Sequence, residues 1–463
     1  MNFLKKTIFN IIGQEAKNLN TNAYVIGGYV RDSLLGRNNT DIDIVVEGSG
    51  INLASAVAKK LGVKVNIFKS FGTAMLKYKG DEIEFVGARK ESYRRNSRNP
   101  IVEDGTLEED RERRDFTINA MSFSLQEENF GELMDPFHGI SDLNLGLIRT
   151  PLDPDTTYSD DPLRMIRAIR FATQLNFVIV PESLESIKKN ADRLSILSVE
   201  RITEELHKIM CSDNPAKGFK LLDQTTLLEK IIPKLTALKG VETVDGRGHK
   251  ENFHHSLKVL ENLCKKSDNE WLRWAALLHD IGKARTKKFE PGIGWTFHSH
   301  DFVGSKMIPE VFKRLKMPLN DKMKYVQKIV RLHMRPIALV EDNVSDSAVR
   351  RLLFDAGDDI DDLMTLSEAD ITSKNDKTVA LHKNNFKMVR KKIIEVEEKD
   401  SIRNFQPPIT GEIIMKTYNI TPGREIGLFK ERIKNAILDG EIPNEYDAAF
   451  AYMEKIAPEI LEK

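Results

Sequence analysis

The chain has almost no cysteine: Cys211 and Cys264 are the only two among its 463 residues. That excludes a disulfide framework and a cysteine-built zinc module, and it fits a reducing compartment. Net charge is absent as well, with 70 Lys+Arg against 70 Asp+Glu. The balance removes any global attraction to nucleic acid or to an acidic surface, so RNA would have to be held by local patches. No run approaches the roughly 18 apolar residues of a membrane helix, and no membrane partner is expected. The start, MNFLKKTIFNIIG, has the lysines of a signal peptide, but Leu4, Ile8, Ile11 and Ile12 recur at helical spacing and no small-residue cleavage site follows. It reads as an amphipathic helix of a cytoplasmic protein. What remains is ordinary globular composition, 40% hydrophobic and 30% charged, in a chain long enough for roughly three domains.

Residues 21–150 mix short β-like runs (AYVIGG, DIDIVV, KVNIFK, AMLKY, EIEFVG) with helical stretches, an α+β pattern. From about residue 155 the pattern is almost wholly helical, as in LRMIRAIRFATQL. Prolines near Thr150–Pro154, glycines across Lys239–Gly248 and the break at Phe405–Pro408 punctuate the chain.

The most informative stretch is YVIGGYVRDSLLGRNNTDIDIVVEG, residues 24–48. An apolar strand runs into Gly27-Gly28 and then into a helix, a turn at which backbone amides can approach a phosphate. Alternate residues of a strand share a face, so Asp41 and Asp43 point one way while Ile42 and Ile44 enter the core. Two carboxylates on one face repel unless a cation lies between them, and hard oxygen ligands suit magnesium and a triphosphate. A bare Asp-x-Asp more often faces solvent; the upstream glycine pair changes that balance. In DEIEFVGAR, Ile83 and Phe85 read as core, leaving Glu82 and Glu84 on the other face, with Glu84 the choice for a third catalytic carboxylate. RERRDFTINAMSF then brings Arg113, Arg114 and Asp115, forked donors for phosphate and an acceptor for a ribose hydroxyl. DDPLRMIRAIRF sets Asp161 and Arg164 three apart on one helix face. A carboxylate accepts and a guanidinium donates, which matches the amino donor and ring-nitrogen acceptor shared by cytosine and adenine and mismatches guanine and uracil.

GGYVRD…LLGR…DIDI, RRDFTINAM, DPFHG, DDPLRMIRAIRF and ERITEEL, in that order, resemble the class II tRNA nucleotidyltransferase and poly(A) polymerase family. The resemblance covers roughly residues 20–235. It implies a polymerase-β-like catalytic head at 1–150, a helical neck at 151–238 that selects the nucleotide, and CCA addition to tRNA 3′ ends from CTP and ATP without a template. It also implies that Gly27, Gly28 and Arg31 hold the triphosphate and that Asp41 and Asp43 bind two magnesium ions. Arg114, Asp115 and Asn119 would lie at ribose and phosphates, Asp161 and Arg164 at the base, and Arg201 in support of the pocket. The loop 89–112, with Arg89, Arg94, Arg95 and Arg98, falls where the family has a mobile element tied to the switch from C to A. Asp160 departs from the glutamate expected there.

Seven of the ten histidines lie between His249 and His333. FHHSLKVLENL, WAALLHDIGK, TFHSHDF, VRLHMRP and LSEADITSKN carry His255, His279-Asp280, His300, His333 and Asp370. An adjacent His-Asp after the apolar run WAALL needs partners or a metal if both are buried. The order His…His-Asp…Asp in helical sequence resembles the HD phosphohydrolase superfamily, here over residues 239–376. That implies a divalent metal on His255, His279, Asp280 and Asp370, with His300 and His333 as candidates for a second and His298 as the alternative to His300. HD domains occur fused to such heads, where phosphatase and 2′,3′-cyclic phosphodiesterase activities are known; the ligand set looks complete here, a degenerate structural HD fold being the alternative reading, and the substrate is not readable from the sequence. Residues 313–335 carry Lys313, Arg314, Lys316, Lys322, Lys324, Lys328, Arg331 and Arg335 against one acid, Asp321, a candidate phosphate-backbone contact. Residues 377–463 resemble the helical C-terminal region of bacterial members. The rival readings are a poly(A) polymerase or an A-only or CC-only enzyme of the same fold, and an HD phosphohydrolase with a non-catalytic nucleotide-binding head.

Overall fold

The computed structural model describes residue 4 and residues 6–92, 101–244, 246–249, 251–341, 345–372, 375–400 and 405–461. Arg94, Arg95 and Arg98 lie outside the described residues. The chain forms two compact units, Met1–Pro233 and Lys234–Lys463.

The first unit opens with α1 (Thr7–Asn18), whose Ile8, Phe9, Ile12 and Ala16 are buried. There follow β1 (Ala23–Ile26), α2 (Gly28–Leu34), β2 (Asp41–Val46), α3 (Gly50–Leu61), β3 (Val65–Phe68), β4 (Thr73–Tyr78) and β5 (Asp81–Gly87). After these come β6 (Arg89–Ser92), β7 (Ile101–Asp104), α4 (Leu107–Glu112), α5 (Thr117–Ala120), β8 (Ser122–Ser124) and β9 (Leu133–Met134). One sheet runs in the order β3-β4-β5-β2-β1-β8-β9, and β6 pairs with β7 separately. β2 and β5 are parallel neighbours, while β1 flanks β2 antiparallel. The crossover from β2 is made by α3, which the Ser49 hydroxyl caps by accepting from the Asn52 amide and which Gly62 ends in a left-handed conformation. A Cβ on Gly50 would lie 2.9 Å from Phe85 backbone, so only glycine lets α3 sit this close to β5. Ile42, Ile44, Ile83 and Phe85 are buried, as the alternation predicts.

The helical part of this unit runs through α6 (Gly139–Leu145), α7 (Pro154–Asp160), α8 (Leu163–Gln174), α9 (Pro181–Asn190), α10 (Val199–Met210), α11 (Pro215–Gln224), α12 (Leu227–Ile231) and, at the division, α13 (Pro233–Thr236). Asp153 caps α7 with Pro154 in its first turn. α8 packs Met165, Ile166, Ile169 and Ala172 into the core, each large side chain contributing about 1.5–3 kcal/mol.

The second unit is helical apart from short strand pairs such as the hairpin Lys288–Glu290/Gly294–Thr296. Its elements are α14 (Asn252–Cys264), α15 (Glu270–Leu278), α16 (Lys283–Thr286), α17 (His300–Arg314), α18 (Asp321–Leu332), α19 (Met334–Glu341), α20 (Asp346–Ala356) and α21 (Ile360–Ala369). Then come α22 (Asp376–Asp400), α23 (Gly411–Tyr418), α24 (Arg424–Asp439) and α25 (Tyr446–Leu461). α14, α15, α17, α18 and α21 pack together and bury Leu260, Leu277, Ile308, Ile329 and Leu363.

Candidate functional site

In the first unit the strand register assembles the carboxylates. Asp43 on β2 stands opposite Glu84 on β5, and Asp41 opposite Glu82. On the other side of β2, Ile26 at the end of β1 pairs with Asp43, which brings the next residue, Gly27, to the same point. Gly27 has φ +80° and ψ −138°, a conformation left almost wholly to glycine, and a Cβ there would lie 3.0 Å from Asp43 Oδ2 and 3.1 Å from Arg114 Nη1. Gly27, Asp43, Glu84 and Arg114 therefore share one site. Burial pushes the Asp43 carboxyl up; Arg114 opposes this, while Asp41 and Asp110 add to it. Loss of solvent and the nearby Asp43 push Glu84 up as well, against a hydrogen bond from Thr73 and the charge of Arg89. Such a set is short of positive charge and offers only oxygen ligands, the condition that a hard cation relieves. A cavity of about 460 Å³ opens here, with Asp43, Glu84, Thr73, Arg89, Arg113 and Arg114 in its wall.

A buried acid that the sequence reading passed over organises the arginines. Asp110 is fully buried on α4 and accepts from Arg113 Nε (3.1 Å) and from Arg114 Nε and Nη2 (3.2 Å each). Burial alone would raise its pKa, but Arg114 and Arg113 hold it below the usual carboxylate value. The helix is oriented by a capping box, Thr106 with Glu109. Arg31 is held inside: Nη1 donates to Asn119 Oδ1 (2.8 Å), Nε and Nη2 donate to Asp32, and the guanidinium lies 5.0 Å from the Phe171 ring centroid. Asp115 accepts from Asn119 Nδ2 (3.0 Å) and from Arg167 Nε (2.8 Å). Burial works against its charge, yet Arg167 and Asn119 hold it at about 2.

Arg167 is the second residue the sequence reading missed. It lies three past Arg164 on α8, so the expected Asp161–Arg164 pair is the start of a longer Asp-Arg-Arg-Arg row. Asp161 lies just before that helix, its Oδ1 accepting from the Leu163 amide (3.1 Å), and Arg164 Nη2 donates to the Arg113 carbonyl (2.5 Å). No ion pair joins Asp161 to Arg164 among the described residues. Arg170 ends the row in a buried pair with Glu205 (2.5 Å) and lies 3.9 Å from the Phe171 ring centroid. Arg201, named for ERITEEL, is exposed; Glu205 is the member of that motif that reaches the cluster.

In the second unit, His255, His279, Asp280, His300, His333 and Asp370 come together and all but Asp370 are buried. Three of the imidazoles are fixed in the same way: Nδ1 of His279, His300 and His333 donates to the carbonyl three residues earlier, at Ala276 (2.8 Å), Phe297 (2.9 Å) and Val330 (2.7 Å). A carbonyl only accepts, so Nδ1 carries the proton and Nε2 presents a lone pair inward. His255 Nδ1 is 3.0 Å from Thr372 Oγ1. His255 Nε2 is 2.8 Å from Asp370 Oδ1, and His279 Nε2 is 3.3 Å from Asp280 Oδ2. On the far side of Asp280, Oδ1 lies 3.4 Å from His300 Nε2 and 3.9 Å from His333 Nε2. Asp280 is thus shared by two ligand groups, His255–His279–Asp280 and Asp280–His300–His333. His279 Nε2 is buried with no hydrogen-bond partner among the described residues, an orphaned lone pair of the kind a metal satisfies. Burial pulls His333 down to about 4. Lys283, unremarked in the sequence, places Nζ 2.7 Å from Asp280 Oδ2. His298, the alternative to His300, is exposed.

Known proteins share this layout. Residues 23–149 match the Poly A polymerase head domain, 176–239 the probable RNA and SrmB-binding site of polymerase A, and 252–375 the HD domain. The A-adding tRNA nucleotidyltransferase of Deinococcus radiodurans is 30% identical over 76% of this chain and 80% of its own. The chain belongs to the tRNA nucleotidyltransferase and poly(A) polymerase family. Another family member, the Multifunctional CCA protein of Shewanella frigidimarina, is 35% identical over 64% of this chain and 70% of its own. The A-adding relative from Aquifex aeolicus is 36% identical, and the match spans 36% of its length. Among solved structures, the Thermotoga maritima CCA-adding enzyme complexed with tRNA aligns over 98% of this chain and 94% of its own at TM-score 0.61 and 25% identity. A tRNA nucleotidyltransferase complexed with a primer tRNA and an incoming ATP analogue aligns over 82% of this chain and 98% of its own at TM-score 0.55 and 27% identity. Both the nucleotidyltransferase family and the HD family are metal-dependent. No described helix is long and apolar enough to cross a membrane.

Proposed function

We propose that this protein adds C and A to the 3′ end of tRNA from CTP and ATP, completing CCA without a nucleic-acid template. The observation that carries the reading is the register that sets Asp43 across from Glu84 with Gly27 and Arg114 against it. Asp41, Asp43 and Glu84 would hold magnesium, which when bound lowers the pKa of the RNA 3′-hydroxyl and offsets triphosphate charge. The residues do the positioning. Gly27 and Gly28 leave room for the triphosphate beside the strand end. Arg114, aimed by Asp110, faces it, and Arg31, beside Gly28, joins them at the triphosphate while fixing Asn119. Asp115 and Asn119 take the ribose. Asp161 and Arg164 read the amino donor and ring nitrogen common to cytosine and adenine. The RNA 3′-oxygen then bonds to the α-phosphorus as the bond to pyrophosphate breaks, and the hydroxyl proton leaves to solvent. Relatives named as multifunctional CCA proteins and as CCA-adding enzymes support this reading. A-only addition is the second reading, favoured by the A-adding relatives.

The histidine cluster in this reading is a separate metal-dependent phosphohydrolase centre. His255, His279, Asp280 and Asp370 would hold one divalent ion, and His300 and His333 with Asp280 a second, acting on a 3′-phosphate or cyclic phosphate that blocks addition. The test is CTP incorporation by wild type beside His279→Ala/Asp280→Ala. The double variant should lose phosphatase activity on a 3′-phosphorylated RNA and keep adding nucleotides; loss of addition would contradict two independent chemistries.

A further inference from the structure

The two reacting groups of nucleotidyl transfer must approach from opposite sides. In-line displacement puts the attacking hydroxyl across the α-phosphorus from the departing pyrophosphate. The strand order makes those two sides distinct. Gly27 and Arg114 lie on the β1 side of Asp43, whereas Glu84 lies on the β5 side, with β4 and β3 beyond it. A triphosphate seated over Gly27 therefore leaves the β5-β4-β3 side for the acceptor.

Two aromatic rings stand there with nothing folded over them. Phe68 ends β3 and pairs in register with Thr73, the residue whose hydroxyl donates to Glu84. Phe71 follows in the one-turn helix Lys69–Phe71. They are 44% and 72% exposed, and both line the cavity that holds Asp43 and Glu84. Large apolar rings left in solvent at the rim of a charged cavity have a use if a flat partner covers them. An unpaired base is such a partner: stacking on an aromatic face tolerates any base, as an acceptor end that changes from one addition to the next requires. We infer that Phe71, with Phe68 beside it, is a stacking platform for the last unpaired base of the RNA acceptor, holding its 3′-hydroxyl at the Glu84 side of the carboxylates.

This rests on the nucleotidyl-transfer reading above. The test uses the full-length protein, magnesium and a tRNA transcript lacking CCA, and measures KM for RNA and for CTP separately. Phe71→Ala should raise KM for RNA by roughly tenfold with KM for CTP within twofold, and Phe71→Trp should restore it. A transcript ending in 2-aminopurine, mixed with protein without CTP, should be quenched by wild type and less so by Phe71→Ala. Because Phe71 is exposed, the substitution should leave the melting curve in place. An unchanged KM for RNA, or a rise confined to CTP that would place the incoming base on the ring instead, overturns the platform alone. Failure of wild type to incorporate CTP overturns the transfer reading, and the platform with it.

Discussion

Asp110 holds two arginines of the candidate active site, although motif reading does not pick it out. It touches no expected substrate, but two of the three arginines in the cavity wall, Arg113 and Arg114, are hydrogen-bonded to its buried carboxylate. Replacing it by asparagine removes the charge that aims them and leaves two guanidinium groups under-compensated. Asp110→Asn should destabilise the first unit by about 3 kcal/mol in urea unfolding and raise KM for CTP more than KM for RNA. A neighbouring acid gives a pH signature. Asp115 is held at about 2 in the folded protein, below an unfolded value of about 3.9. A depressed carboxylate contributes stability above its unfolded pKa and loses it as pH falls through the folded one. The stability gap between wild type and Asp115→Asn should be flat from about pH 5 to 7 and close between about pH 4 and pH 2. Asp41, Asp43 and Glu84 were legible because a strand alternates strictly. Asp110 was not: in EEDRERRD it is one acid among several, and only the turn that the capping box imposes decides which carboxylate faces inward.

At the scale of elements, the turn from β1 into α2 sets the geometry. Gly27 sits where backbone, Asp43 and Arg114 converge, and any side chain meets both the backbone strain and the crowding. Gly27→Ala should cost about 1–3 kcal/mol, seen as a Tm lower by several degrees, and should cut kcat by at least roughly tenfold because Asp43 must move. A normal kcat in a folded Gly27→Ala protein would separate the turn from catalysis. The strands of the head were readable for the same period-two reason as the aspartates. Helix faces were harder. On α10 the buried stripe is Ile202, Glu205, Leu206 and Ile209, at i, i+3, i+4 and i+7, so Glu205 goes in with the apolar residues while Arg201 falls at the stripe's edge. A buried glutamate looks like an interruption of that stripe until Arg170 supplies its partner. In the second unit the His-Asp pair and its distant partners could be read from residue order. The repeated anchoring of Nδ1 on a carbonyl three residues back could not, since it depends on where α15 and α18 stop.

Across the whole molecule, charge balance is kept locally. The basic run 313–335 suggested a phosphate track, yet Arg331 pairs with Asp301, Lys328 with Asp359, Arg335 with Asp355 and Lys324 with Asp321. Asp321 is one turn from Lys324 on α18, but the other three acids lie 20 to 31 residues away in sequence and become neighbours only through packing of α17, α18, α20 and the turn before α21. In the proposed reading, RNA would be held by local features rather than by a global field, in keeping with a formal net charge of zero. The central claim is that the head transfers nucleotides to a tRNA end and that Asp43 is indispensable to it. The direct measurement is the length of product from a tRNA lacking CCA, given magnesium with CTP, ATP, both or neither. Growth by two residues with CTP and by three with both, abolished in Asp43→Ala, is the predicted result. No extension under any condition, or extension undiminished in Asp43→Ala, would contradict it.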